Sequence, residues 1–93
     1  MKATWNNTVI AESDQTIVLE GNHYFPIESI HEQYFQESLH TSICGWKGLA
    51  NYFNIVVGDQ ENPNTAWIYK TPKEQAQEIK NHIAFWKGIS VIA

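Results

Sequence analysis

The chain contains no arginine, one cysteine, three prolines, five glycines and only six basic residues in 93. Without arginine there is no planar guanidinium fork for bidentate recognition of phosphate or carboxylate, so an anion site must be built from lysine, hydroxyls or backbone N–H groups. The lysines (2, 47, 70, 73, 80 and 87) are scattered and the net charge is -4, which argues against a nucleic-acid partner. A lone Cys44 excludes an intrachain disulfide, and small extracellular domains usually carry several. Met1 to Asn7 lacks the apolar run of a secretory leader, and no stretch approaches the ~20 apolar residues of a membrane-spanning helix. The expectation is a cytoplasmic protein without a membrane partner.

What the chain does have is apolar and aromatic content: 43% hydrophobic and 13% aromatic against 17% charged, the balance of a folded globule. Its length suits one domain with one modest core, residues 1–93. Short β-branched and aromatic runs are separated by turn residues, so the expected class is mainly β (α+β), a small antiparallel sheet or partly open barrel-like domain with one C-terminal helix.

Ala3–Trp5, Thr8–Ala11 and Thr16–Glu20 read as a three-stranded meander, its first turn made by Asn6-Asn7 and its second by Ser13-Asp14-Gln15. Gly21-Asn22 ends it. Residues 26–34 suit one or two helical turns, 35–40 read as loop, 41–44 as strand and 49–57 as the longest strand. Asn62-Pro63-Asn64 reads as loop and Ala66–Tyr69 as an aromatic strand. Thr71-Pro72-Lys73-Glu74 has the form of a capping box, predicting a helix from near Pro72 with Ala76, Ile79 and Ile83 on its buried face and Asn81 as a left-handed terminator. Residues 83–86 and 89–92 around Lys87-Gly88 read as a final hairpin.

Three segments carry a family resemblance: Gly21-Asn22-His23-Tyr24-Phe25-Pro26, then His40 through Tyr52 with Cys44-Gly45-Trp46-Lys47-Gly48 at its centre, then Ala66-Trp67-Ile68-Tyr69. The chain resembles the bacterial domain of unknown function 427 family, whose T-x-C-P-W-K-G-x-A-x-Y pattern is matched from Ser42 to Tyr52 except for Ser42 and Gly45, where threonine and proline are usual. The resemblance covers essentially the whole chain and implies no particular reaction. The label nucleotidyltransferase-like, which that family sometimes carries, would require paired metal-binding carboxylates. Glu12 and Asp14 are the nearest pair, and they sit at an expected hairpin turn with no glycine-rich phosphate loop.

The segment from Cys44 to Gly48 is the first candidate site, because a thiol, an indole and an amine lie between or beside two glycines. Lys47 could act as electrostatic partner to a nucleophilic or redox-sensitive Cys44, with His40 or His23 as base. The plainer reading makes Cys44 a buried hydrophobe, Trp46 a core anchor and Lys47 a turn residue whose amine faces solvent. His23, His40 and His82 could approach Cys44, but no ligand-spaced pair selects for zinc, so neither a metal nor another cofactor is expected. The abundance of rings suggests a second use: Tyr24, Trp46, Trp67 and Tyr69 with Cys44 and Lys47 could line a pocket. The leading expectation is therefore a non-enzymatic module binding an unknown small molecule or protein on an aromatic-lined face, with a homodimer as a possibility. The alternative is a small cysteine-dependent enzyme or redox sensor.

Overall fold

The computed structural model describes residues 1–93. It has nine strands in two antiparallel sheets that do not close into a barrel. β1 (Lys2–Trp5) and β2 (Thr8–Glu12) form a hairpin across Asn6-Asn7, both left-handed with φ of 53° and 60°, as the expected two-residue turn demands. The meander stops there. Ser13 closes the end of the hairpin by donating its N–H to the Met1 carbonyl at 3.0 Å, and the Gln15 N–H then turns onto the Ser13 Oγ at 2.9 Å. This polar corner carries the chain out of the first sheet, so β3 (Ile17–Leu19) pairs not with β2 but with β4 (Asn22–Pro26).

After two 3₁₀ turns at 27–29 and 32–34, β5 (Phe35–Cys44) runs along the sheet edge against β6 (Gly48–Val57). Residues 35–40 are thus strand rather than loop. An edge strand with a bulge between Glu37 and Thr41 has no need of apolar alternation, which hid it from pattern reading. β7 (Gln60–Ile68) likewise absorbs Asn62-Pro63-Asn64: the ladder slips between Phe53 and Ile55, and Pro63 and a left-handed Asn64 fit that bulge, where a missing N–H costs little.

The helix lies in the expected segment but as 3₁₀ turns over Glu74–Ile79, kinked at Ala76, with no side-chain cap from Thr71. Both flanks are tied to the sheet: the Lys73 N–H reaches the Lys47 carbonyl at 2.9 Å and the Asn81 N–H reaches the Tyr69 carbonyl at 3.2 Å. A 3₁₀ winding rises about 2.0 Å per residue against 1.5 Å for an α-helix, so the short segment bridges both anchors. Ala76 and Ile79 are buried as expected, while Ile83 belongs to β8 (His82–Phe85) and packs in the other layer. β8 and β9 (Ser90–Ile92) do not pair with one another; Lys87 and Gly88, both at positive φ, turn the chain so that β9 joins β1.

The strand orders are β2-β1-β9 and β3-β4-β8-β7-β6-β5. The small sheet covers part of one face of the large one, enclosing Ala3, Ile10, Phe25, Ile55, Ile83 and Phe85. On the opposite face a smaller cluster of Tyr24, Ala50, Tyr69, Ala76, Ile79 and Ala84 lies partly beneath the 3₁₀ segment. That second face holds most of the candidate residues.

Candidate functional site

The period-two alternation of strands separates the rings of this chain into two sets. In β4, Phe25 enters the main core and Tyr24 turns to the other face; in β7, Ala66 and Ile68 enter the core while Trp67 and then Tyr69 take the other side. The register aligns Ala84, Trp67 and Tyr52 across β8, β7 and β6. Ala50 and Ala84 are nearly or fully buried among these rings, small enough for the rings to pack over them.

Trp67 is the hub. Its indole N–H donates to the Tyr24 hydroxyl at 3.2 Å, and its ring lies 6.3 Å from Tyr24, 6.4 Å from Tyr52 and 6.1 Å from Trp86. Tyr52 is oriented by a 2.9 Å hydrogen bond between its hydroxyl and Ser42, and by the His40 ring at 4.6 Å. Lys47, Tyr52, Trp67, Tyr69 and Trp86 line a cleft of about 170 Å³ on this face.

Lys47 is not the solvated turn residue that the sequence suggested: it is only 8% exposed. Its ammonium is bonded to the Glu20 carboxylate and stands 5.5 Å and 5.6 Å from the ring centroids of Tyr69 and Trp46. Contacts and turns on both sides hold it there. Gly48 has φ of 110°, a backbone conformation that residues with a β-carbon rarely adopt, and lies in van der Waals contact with the Lys73 backbone. The Lys47 carbonyl accepts from the Lys73 N–H, and the Lys73 ammonium donates to the Gly45 carbonyl at 2.6 Å. On the other side Glu20 occupies a left-handed turn position, φ 54°, usually left to glycine or asparagine.

The electrostatics follow from this arrangement. The hydrogen bond from Lys47 holds the Glu20 carboxyl below the usual carboxylate range, against a partial opposing effect of desolvation. Burial works against the charged form of Lys47, but the Glu20 hydrogen bond, with Tyr24, Tyr69 and the Glu20 charge, outweighs it and the amine titrates above its ordinary value. Burial pushes the phenols of Tyr24 and Tyr69 up as well. Raised folded-state values mean that the folded chain binds more protons than the unfolded one above about pH 10, so the contributions of Lys47, Tyr24 and Tyr69 are complete below that pH and fall away as pH rises through the folded values. Glu20 acts oppositely: its contribution is present above about pH 4 and is lost as pH falls through its lowered value. Melting temperature should therefore fall from pH 9 to pH 11, and Tyr24→Phe should make that fall shallower. An identical slope in the variant would show that the phenol is not part of the alkaline transition.

Of the residues singled out in the sequence, Tyr24, Cys44, Lys47, Trp67 and Tyr69 come together on this face, with the partly exposed Trp46 beside the Lys47 ammonium. Cys44 is half-buried against the cluster. His40 shares its strand, but four steps of extended chain set the two about 13 Å apart. His23 is hydrogen-bonded to Thr16 at 3.0 Å, and His82 has a backbone partner. No base is thus within hydrogen-bond reach of the thiol in this conformation. Glu12 faces Lys2 at 3.9 Å, and no group of three or more histidine, cysteine, aspartate or glutamate side chains gathers anywhere in the chain.

The site also has members not singled out from the sequence: Tyr52 and Trp86, which it offers only as two among many rings that could line a pocket, and Glu20. Trp86 follows Ala84 at strand spacing, a signal that was available. Tyr52 has the same signal from Ala50. Glu20 had none, since 27 positions separate it from its partner. A larger groove of about 490 Å³ lies on the other face of the sheet and contains neither Lys47 nor Cys44, so volume alone does not select the chemistry-bearing site.

The sequence profile of the family described as "Domain of unknown function (DUF427)" matches residues 1–92. No curated protein matches the chain.

Proposed function

Because the chain belongs to that family, whose description names no reaction, we propose a function from the site: a binding module that takes a small, uncharged ring on its aromatic face. The observation that carries this reading is the juxtaposition of four aromatic rings, Tyr52, Trp67, Tyr69 and the half-exposed Trp86, with the buried Lys47 ammonium in the lining of one cleft. Flat rings and the C–H faces of saccharide rings gain from stacking on indole and phenol, and a cleft of about 170 Å³ is of single-ring size.

The charge state of the site narrows the ligand. Glu20 already neutralises Lys47, so the pair offers a hydrogen-bond donor more than a net positive charge. A carbonyl or hydroxyl on the ring is the complementary group, and a phosphate or carboxylate would have to compete with Glu20. Binding requires no reacting group, which suits a site where the only thiol has no neighbouring base.

The test is a thermal-shift and calorimetric screen of neutral heteroaromatic rings and monosaccharides against the parent, Lys47→Met and Trp86→Ala. Methionine retains most of the aliphatic volume of Lys47 and Trp86 is 46% exposed, so both variants should fold, at a cost of about 1 kcal/mol for Lys47→Met and about 2 kcal/mol for Trp86→Ala, which also loses the indole hydrogen bond to the Asn64 carbonyl. A ligand of the parent should bind each variant at least about tenfold more weakly, the scale of one lost hydrogen bond or stacking partner. Unchanged affinity in both variants would remove the ligand from this cleft.

A further inference from the structure

The large sheet has a second unfinished surface, on the side opposite the aromatic face. There the small sheet lies over Phe25, Ile55, Ala66, Ile83 and Phe85, but its cover stops short of the end of the β5–β6 hairpin. Beyond it opens the groove of about 490 Å³, floored by Ile27, Phe35, Phe53 and Ile68. Glu32, Glu37 and Lys70 stand at its walls.

The ladder continues this face outward. Asn51 pairs with Ile68 on one side and Thr41 on the other, and two residues further along the hairpin the same face presents the cross-strand pair Ile43 and Leu49. These side chains are 80% and 44% exposed. One continuous face thus carries a projecting apolar pair and an apolar hollow. It also carries both signs of charge in a state free to pair, because the ion pairs within the chain are Lys2–Glu12 and Lys47–Glu20.

A two-fold interface sets a surface against its own copy, so it needs knob and hollow, and cation and anion, on the same patch. We propose that a second copy of this chain closes this face, the Ile43–Leu49 tip of each protomer entering the groove of the other, with Lys70 of one protomer set against the acidic groove wall of its mate. A small ligand in the groove would leave Ile43 and Leu49 bare, whereas a second copy covers both. Pairing through the free edge of β5 is disfavoured by the bulge between Glu37 and Thr41, which interrupts the ladder that edge-to-edge addition would extend. The aromatic face stays open in such a dimer, so this proposal and the ring-binding reading stand or fall separately.

Sedimentation velocity of the purified chain from about 1 to 100 μM tests the proposal. The parent should sediment as a dimer at twice the protomer mass of 10.7 kDa. Ile43→Glu should weaken association by about 100-fold or more, the loss expected for a central apolar anchor, and because this side chain is mostly exposed in the protomer its melting temperature at high dilution should match the parent. Leu39→Glu, at the bulge on the strand edge and fully exposed, should leave the dimer intact. Lys70→Glu should weaken it, with Glu37→Lys in the same chain restoring part of the loss. A parent that is monomeric throughout the range, a dimer indifferent to Ile43→Glu, or a dimer dissolved by Leu39→Glu instead would each overturn the assignment.

Discussion

Phe25→Ala should destabilise the fold by about 3–5 kcal/mol, enough to remove much of the stability of an ordinary small domain. Phe25 is fully buried where the two sheets meet, its ring 5.5 Å from Phe85 in an edge-to-face contact, with Ile83 opposite it in the ladder. Nothing adjacent can fill the space: Ala3, Ala11 and Ala66 in the same cluster are too small, and the isoleucines are committed to strands with fixed register. The truncation therefore loses both transfer free energy and the contacts that the ring made. Urea unfolding should show the midpoint falling while the slope is retained. A loss under about 1 kcal/mol would mean that the layers are not packed through Phe25.

On the aromatic face the largest effect belongs to Trp67→Ala, expected to cost about 3 kcal/mol or more and to abolish ring binding. Trp67 holds Tyr24, Tyr52 and Trp86 in place at once, and its indole N–H supplies the hydrogen-bond donor to the buried Tyr24 hydroxyl. Removing it leaves that hydroxyl enclosed without its partner, a penalty beyond the cavity itself. Trp86→Ala separates the two consequences, because Trp86 contributes a wall of the cleft while remaining half exposed. Equal melting losses in the two variants would contradict the placement of Trp67 at the centre of the cluster.

Local chemistry made some of this legible in the sequence and long-range pairing concealed the rest. Asn6-Asn7 announced its turn because two consecutive left-handed residues are what asparagine tolerates, and Leu49–Val57 announced its strand through β-branched and aromatic content. Strand partners were not local. Whether Thr16–Glu20 joins the first hairpin or the other sheet depends on the corner at Ser13, and no period in the sequence encodes it. The capping-box pattern at Thr71 was outvoted by two backbone anchors, at Lys47 and Tyr69, that lie outside the segment. In the site, the shared face of Trp67 and Tyr69 followed from alternation, but Tyr24 joins them only through the strand order β4-β8-β7, and the burial of Lys47 could not be read without Glu20.

The central claim, that the aromatic face is where this protein binds, is tested most directly by the indole N–H resonances of its four tryptophans during titration with a neutral ring. Trp67 and Trp86 bound the cleft, Trp46 adjoins the Lys47 ammonium, and Trp5 lies in the small sheet with the other layer. The expected result is saturable movement of the Trp67 and Trp86 signals, a smaller shift at Trp46, and none at Trp5. Absence of saturable shifts across the whole panel at millimolar concentration, or shifts confined to Trp5 and the backbone amides of Phe35, Phe53 and Ile68, would contradict it.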